Sequence, residues 1–313
     1  MGGGPCRYDP PRSEGYDFLS AAFPEVRGKM EAKASLASFI WFRTGGDADH
    51  LFRPADVDDL SAFLRGLPDD VPVMPVGVGS NLIVRSGGVP GVVVRLPKAM
   101  AQVEVDGMRV RAGAGAMGIT VASAARDAGV AGLEFLRGIP GTAGGAVRMN
   151  AGAYGSEVKD VLVEATVVRR DGKVETLAAA DLGFEYRSSN LREGDIVVEA
   201  LFEGKPGDPE DIGTRMDEIQ EAREASQPTR TQTGGSTFRN PDGGKAWQLV
   251  DAAGCRGLEI AGAKVSEKHT NFLINTGEAS GNAIEDLGDE VRRRVKADSG
   301  VELAWEIERV GRR

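Results

Sequence analysis

Two stretches of this 313-residue chain carry dense glycine: Gly77-Val78-Gly79-Ser80-Asn81, and the run from Gly138 to Gly155. The second includes Ile139-Pro140-Gly141-Thr142-Ala143-Gly144-Gly145 and Asn150-Ala151-Gly152. A usage near 7% would give roughly 22 glycines, and 43 are present. Each interior glycine costs ~1 kcal/mol relative to alanine in a helix or strand, so close approach of backbone to a long ligand explains the clusters better than folding. Successive N–H groups in such turns form concavities that bind phosphate. The first cluster is not a Rossmann fingerprint. Leu82 stands where G-x-G-x-x-G needs its third glycine, and Leu82-Ile83-Val84 reads as a strand where that motif needs a helix. Two glycine-rich segments on strand-rich scaffolding point to a dinucleotide held without a Rossmann fold.

The remaining composition narrows the chemistry. With two histidines, His50 and His269, a His-rich metal site and most Ser-His-Asp schemes are disfavoured, and no metal is expected. Two cysteines, Cys6 and Cys255, make no disulfide framework and suit a reducing compartment. The net charge of −9 disfavours non-specific nucleic-acid binding, which runs on phosphate neutralisation. No apolar run approaches the ~20 residues of a membrane span. The start, Met1-Gly-Gly-Gly-Pro, carries no secretory pattern, so a cytoplasmic protein is expected.

Further motifs lie along the chain. They are Trp41-Phe42-Arg43-Thr44-Gly45-Gly46, Tyr186-Arg187-Ser188-Ser189, Gly235-Ser236-Thr237-Phe238-Arg239-Asn240-Pro241, Val265-Ser266-Glu267-Lys268-His269-Thr270-Asn271-Phe272 and Trp305-Glu306-Ile307. Taken in order with the two glycine clusters, they resemble the UDP-N-acetylenolpyruvoylglucosamine reductase family from about Ala37 to Gly311. The short segment between Tyr186-Arg187 and Gln227-Pro228 is similar to the family's form without a tyrosine-bearing loop insertion. The resemblance implies an α+β protein: a vanillyl-alcohol-oxidase-type FAD-binding fold of two subdomains, then a smaller α+β substrate domain. It implies reduction of the enolpyruvyl ether of a UDP-sugar, with FAD as cofactor and NADPH as reductant. The glycine clusters hold neither His nor Cys, so the FAD should be non-covalent.

By the same resemblance Ser236 is the proton donor, and Arg187 and Glu306 stabilise the intermediate's charge. FAD contacts fall to Arg43, Gly77, Gly79, Ser80, Asn81, Leu82, Ile139, Pro140, Gly141, Gly144, Gly145, Ala151 and Gly152. Substrate contacts fall to Tyr186, Arg239, Asn240 and His269. The family usually has lysine at the Arg239 position, and a basic residue is common at that of Glu308. On residue type alone, Ser236 could be a turn residue, and Arg187 and Glu306 could be solvated charges. Two rival functions follow: a flavin oxidase of the same FAD fold acting on another substrate, and a non-catalytic flavin or nucleotide-sugar binder.

The elements that must position these residues are legible in outline. Residues 1–36 read as a tail plus a short helix. Residues 37–204 read as the FAD-binding domain, with subdomains of about 37–98 and 99–204. Residues 205–313 read as the substrate domain with a C-terminal catalytic strand, Val301 to Val310. Two Asp-Gly hairpins, at Asp106-Gly107 and Asp171-Gly172, bracket a helix from about Ile119 to Ala128 that Gly129 stops. Asp208-Pro209 opens another helix, and a longer one places Ile284, Leu287, Val291 and Val295 on one stripe before Gly300.

Overall fold

The computed structural model describes residues 23–313. Its first layer holds strand β1 (Lys29–Ala34), β2 (Ala48–Arg53), helix α1 (Val57–Gly66), β3 (Val73–Pro75), β4 (Leu82–Val84) and β5 (Val89–Val94). The sheet order is β1-β2-β5-β3, with β5 parallel to both β2 and β3. Every residue of β5 is buried, as a parallel strand covered on both faces requires. The short helix expected before residue 37 does not form within 23–36. That segment carries β1, which pairs antiparallel with β2, and the rest of the expected tail lies outside the described residues. Asp56 caps α1, its carboxylate accepting from the Asp59 amide at 2.9 Å.

The second layer holds β6 (Val103–Asp106), β7 (Arg109–Gly113), α2 (Gly118–Asp127), β8 (Val130–Ala131), α3 (Ala143–Arg148), β9 (Gly152–Ala153), β10 (Ser156–Glu157), β11 (Leu162–Val168), β12 (Val174–Ala178), β13 (Ile196–Glu203), β14 (Lys205–Pro206) and α4 (Pro209–Ser226). Its main sheet is antiparallel throughout, in the order β12-β11-β13-β7-β6. Both Asp-Gly hairpins form, and Gly129 follows α2 at φ +68°. Helix α4 is capped by Asp208, but its Ile212 and Met216 join this layer's core with Val121, Leu133 and Phe202. The Pro/Gly break at 205–209 therefore precedes a helix that packs back on the second layer.

The third layer holds β15 (Gln232–Ser236), α5 (Ala246–Ala252), β16 (Glu259–Ile260), β17 (Ala263–Val265), β18 (Phe272–Asn275), α6 (Gly281–Ser299) and β19 (Glu308–Val310). The sheet β15-β18-β17-β16 is backed by the stripe of α6, and Ile284, Leu287, Val291 and Val295 are fully buried. These residues share one core with Phe42, Leu51 and Val93 of the first layer. The opposite face of the first sheet, through Phe52, Val92 and Val94, packs with α1 and reaches Val168 and Ile196 of the second layer.

The long final strand is corrected by the structure. Only Glu308–Val310 is a strand, running parallel to β4, and Trp305 makes a single bridge to Phe238. The alternation from Val301 to Ile307 is real, but the partners change along it. The Arg239 amide donates to the Ala304 carbonyl and the Glu306 amide to the Thr237 carbonyl, whereas the Glu306 carbonyl accepts from Asn81 Nδ2. A segment bonded to two separate elements builds no continuous ladder.

Candidate active site

Three loops meet where the layers join. The turn Gly77–Asn81 leads into β4, and the Ser80 hydroxyl donates to the Pro140 carbonyl at 2.7 Å, tying the two glycine clusters together. Thr142 caps the short helix α3, its Oγ1 accepting from the Gly145 amide. Asn81 donates from Nδ2 to the Glu306 carbonyl at 3.1 Å and so fastens the C-terminal segment to the first cluster. The loops enclose a cavity of about 450 Å³, walled by Gly77 to Leu82, Gly138 to Thr142, Gly145, Ala151, Gly152, Arg187, Ser236, Arg239 and Glu306.

The glycines of this wall divide into two kinds. A Cβ on Gly141 would meet only Ser80 Oγ at 3.4 Å, one on Gly145 only Thr142 Oγ1 at 3.6 Å, and one on Gly235 only the Ser80 carbonyl oxygen at 3.9 Å. These three turn bare backbone to the cavity, as a cradle for a bound cofactor must. The others are explained by protein packing. A Cβ on Gly77 would lie 2.6 Å from Thr142 Oγ1 and one on Gly79 would overlap the Ile40 side chain, and just outside the wall one on Gly144 would lie 2.9 Å from the Ala114 Cβ. The glycine excess thus serves close packing as well as ligand space.

Arg187, Ser236 and Glu306 share this wall. Arg187 sits in a two-residue turn at φ +55°, closed by reciprocal hydrogen bonds between Glu185 and Ser188. Its Nε donates to Glu306 Oε1 at 3.2 Å and its Nη2 to the Gly152 carbonyl at 2.8 Å. The pair is mostly enclosed, with 18% of the Arg187 side chain and 14% of the Glu306 side chain exposed. Burial pushes the Glu306 carboxyl above its ordinary value, while Arg187 and then Arg239 pull it back. Ser236 ends β15 directly after Gly235.

Arg239 also lines the cavity, and its buried Nε has no hydrogen-bond partner in the protein. A guanidinium so placed is matched by an anionic ligand. Several expected contacts stand outside the wall. Arg43 turns its guanidinium to the Ser38 carbonyl. Tyr186 is 47% exposed, its ring stacked over the Arg187 guanidinium at 5.0 Å. Asn240 Oδ1 accepts from the Ala246 amide at 3.0 Å and holds the start of α5. His269 packs edge-on to Phe272 and accepts from the Asn271 amide at Nδ1, and burial lowers its pKa. Gly144 faces an adjoining cavity of about 120 Å³. Among the described residues no group of three or more His, Cys, Asp and Glu could hold a metal ion.

Residues 48–178 match the model of an FAD-binding domain, and residues 227–310 match that of the UDP-N-acetylenolpyruvoylglucosamine reductase C-terminal domain. The reductase of that name from Novosphingobium aromaticivorans is 65% identical over 288 residues, 92% of this chain and 97% of its own. The chain belongs to the UDP-N-acetylenolpyruvoylglucosamine reductase family. The Sphingopyxis alaskensis reductase is 64% identical over 294 residues, 94% of this chain and 98% of its own. The crystal structure of the Thermus caldophilus reductase superposes with a TM-score of 0.79 at 33% identity, covering 92% of this chain and all of that one.

Within this reductase framework the wall includes groups that sequence reasoning did not place. Arg148 and Met149 come from the end of α3, and Arg223, Gln227 and Thr229 from the end of α4 and the loop after it. Arg223 donates to Gln227 Oε1 one helical turn on at 3.3 Å. In sequence that helix shows a weak stripe and marks only the start of the last domain, so nothing points to its far end as cavity wall. Glu308 also faces in, and burial pushes its carboxyl up against the pull of Arg239, Arg309 and Arg148.

Proposed function

We propose that this chain is the flavoenzyme that reduces the enolpyruvyl ether of UDP-N-acetylglucosamine enolpyruvate to UDP-N-acetylmuramate, an early step towards peptidoglycan. The carrying observation is the convergence of Ser236 and the Arg187–Glu306 pair on a cavity whose Gly141, Gly145 and Gly235 leave backbone bare. These glycines and the turn Gly77–Asn81 would hold FAD without a covalent link. When bound, FAD takes electrons from NADPH and supplies a hydride.

The residues account for the rest. Hydride arriving at the methylene carbon leaves an electron pair on the adjacent carbon, shared with its carboxylate. Arg187 offers a planar fork that fits that carboxylate. Glu306, kept protonated to higher pH by burial, offers an acidic hydrogen bond to the same developing charge. Ser236 gives its proton to the carbon, completing the saturated product. Arg239 suits the anionic groups of the UDP moiety. The reaction is expected in the cytoplasm; among the described residues no helix is long and apolar enough to cross a membrane.

The test separates the half-reactions by rapid-mixing absorbance. Ser236→Ala should bleach with NADPH as the parent does, yet return electrons to the enolpyruvyl substrate ~10²–10⁴-fold more slowly, the usual effect of losing a general acid. Equal slowing of both halves would reduce Ser236 to a turn residue. A flavin oxidase would instead be reoxidised faster by air than by the enolpyruvyl substrate, and a binding protein would show no turnover.

A further inference from the structure

The network behind Arg187 reaches further than the Glu306 ion pair. Asn150 is fully buried at φ +42°, two residues after the end of α3. Both its side-chain nitrogen and oxygen are hydrogen-bonded. Nδ2 donates to the Glu185 carbonyl at 3.0 Å and to Glu157 Oε2 at 3.2 Å, while Oδ1 accepts from the Lys159 amide at 3.0 Å. Glu185 is the first residue of the turn that holds Arg187 in its left-handed conformation. Glu157 stands on the other side of the guanidinium, with Oε1 4.0 Å from Arg187 Nη1 and Oε2 2.7 Å from Lys159 Nζ. The guanidinium is therefore hydrogen-bonded on two sides, by Glu306 on Nε and by the Gly152 carbonyl on Nη2, and Glu157, which pairs with Gly152 across β9 and β10, adds a longer electrostatic contact to Nη1.

We infer that Asn150 and Glu157 are positioning residues for Arg187. They fix the orientation of its fork toward the substrate carboxylate. The inference rests on the role proposed above for Arg187. The physical need is specific. A left-handed backbone at a non-glycine residue is costly and persists only where its surroundings over-determine it. A buried amide bonded through both its nitrogen and its oxygen is such a surrounding. A guanidinium has five donors in a rigid plane, so a second anchor beside Glu306 converts a tethered charge into an oriented one. Glu157 is itself fixed at the start of a turn, where its amide donates to Asp160 Oδ2 at 2.8 Å.

The experiment uses the FAD-loaded enzyme and the variants Glu157→Gln, Arg187→Lys and the double variant. Substrate-driven flavin reoxidation is followed over a range of substrate concentrations. Glu157→Gln should lower the maximal reoxidation rate about 10–100-fold, the range a small misplacement of a catalytic group produces. The half-saturating substrate concentration should move less than about threefold. In the Arg187→Lys background, where the fork is already lost, Glu157→Gln should add little. A Glu157→Gln enzyme with an unchanged maximal rate overturns the inference, and so does one whose loss is repeated in full beside Arg187→Lys. If Arg187→Lys alone left reoxidation unchanged, the role of Arg187 would fail instead. Asn150→Ser, kept as a second variant, should reproduce the fall in maximal rate if it still folds and binds FAD. Glu157→Gln decides the matter if it does not.

Discussion

Glu306 shows how one enclosed ion pair can be tuned in two directions. Burial disfavours its carboxylate, and Arg187 favours it. The net shift is upward, so the protonated form that can donate to a developing negative charge persists above the ordinary carboxylate range. The substrate half-reaction should therefore fall as pH rises through this raised value. Arg187→Ala removes the largest stabiliser of the carboxylate, so the same limb should move to higher pH while the maximal rate drops. Reoxidation rates across a pH series check both. A reoxidation rate that rose with pH through this range would mean that Glu306 works in its ionised form. The residues themselves were recognisable from motifs, because Tyr186-Arg187-Ser188-Ser189 and Trp305-Glu306-Ile307 are local strings. The partners that hold them in place were not. Gly152, Glu157 and Asn81 come from distant parts of the chain, and only the fold brings them into contact.

The short helix α3 carries a sharper lesson about glycine. Adjacent positions in it answer to different constraints, since Gly144 is pressed on Ala114 and Gly145 faces the cavity. Gly145→Val should give a folded protein that fails to retain FAD, because the added side chain enters ligand space. Gly144→Leu should instead destabilise the fold by about 1–3 kcal/mol through overpacking. Flavin absorbance read beside circular dichroism separates the two. A yellow, folded Gly145→Val variant would remove that residue from the FAD cradle. The sequence could report the density of glycine but not this division, because it depends on which side of the helix meets β7 and β13. Elements with strong local signals were legible: the two Asp-Gly hairpins, the Asp208 cap and the stripe of α6. The final segment was not, since its alternation matches a strand while its hydrogen bonds go to two separate partners.

The molecule's first and third layers share an apolar core, and one charged contact close to the site adds to the joining. Arg85 follows β4 in the first layer, and Glu285 lies on α6 in the third. Their pairing is bidentate, Nε to Oε2 at 2.7 Å and Nη2 to Oε1 at 2.8 Å. Arg85 also donates from Nη1 to the Gly311 carbonyl, and its amide donates to the Val310 carbonyl, so the same residue holds β19 beside β4. Glu285 is 2% exposed. Burial alone would raise its carboxyl, but Arg85 and then Arg309 carry it below the ordinary value. A carboxyl lowered by folding adds stability above its unfolded pKa of about 4.3, and that stability is lost as pH falls through the lowered folded value. Glu285→Gln breaks the bidentate pair, at a cost of about 3 kcal/mol, the low end for a broken buried pair because Arg85 keeps some water contact. The urea midpoint at pH 7 should fall accordingly, and the gap between variant and parent should close on acidification below pH ~4. Because β19 carries Glu308 and adjoins Glu306, the variant should also release FAD at a lower temperature than the parent. A midpoint unchanged at pH 7 would show that the layers are held by their shared apolar core alone.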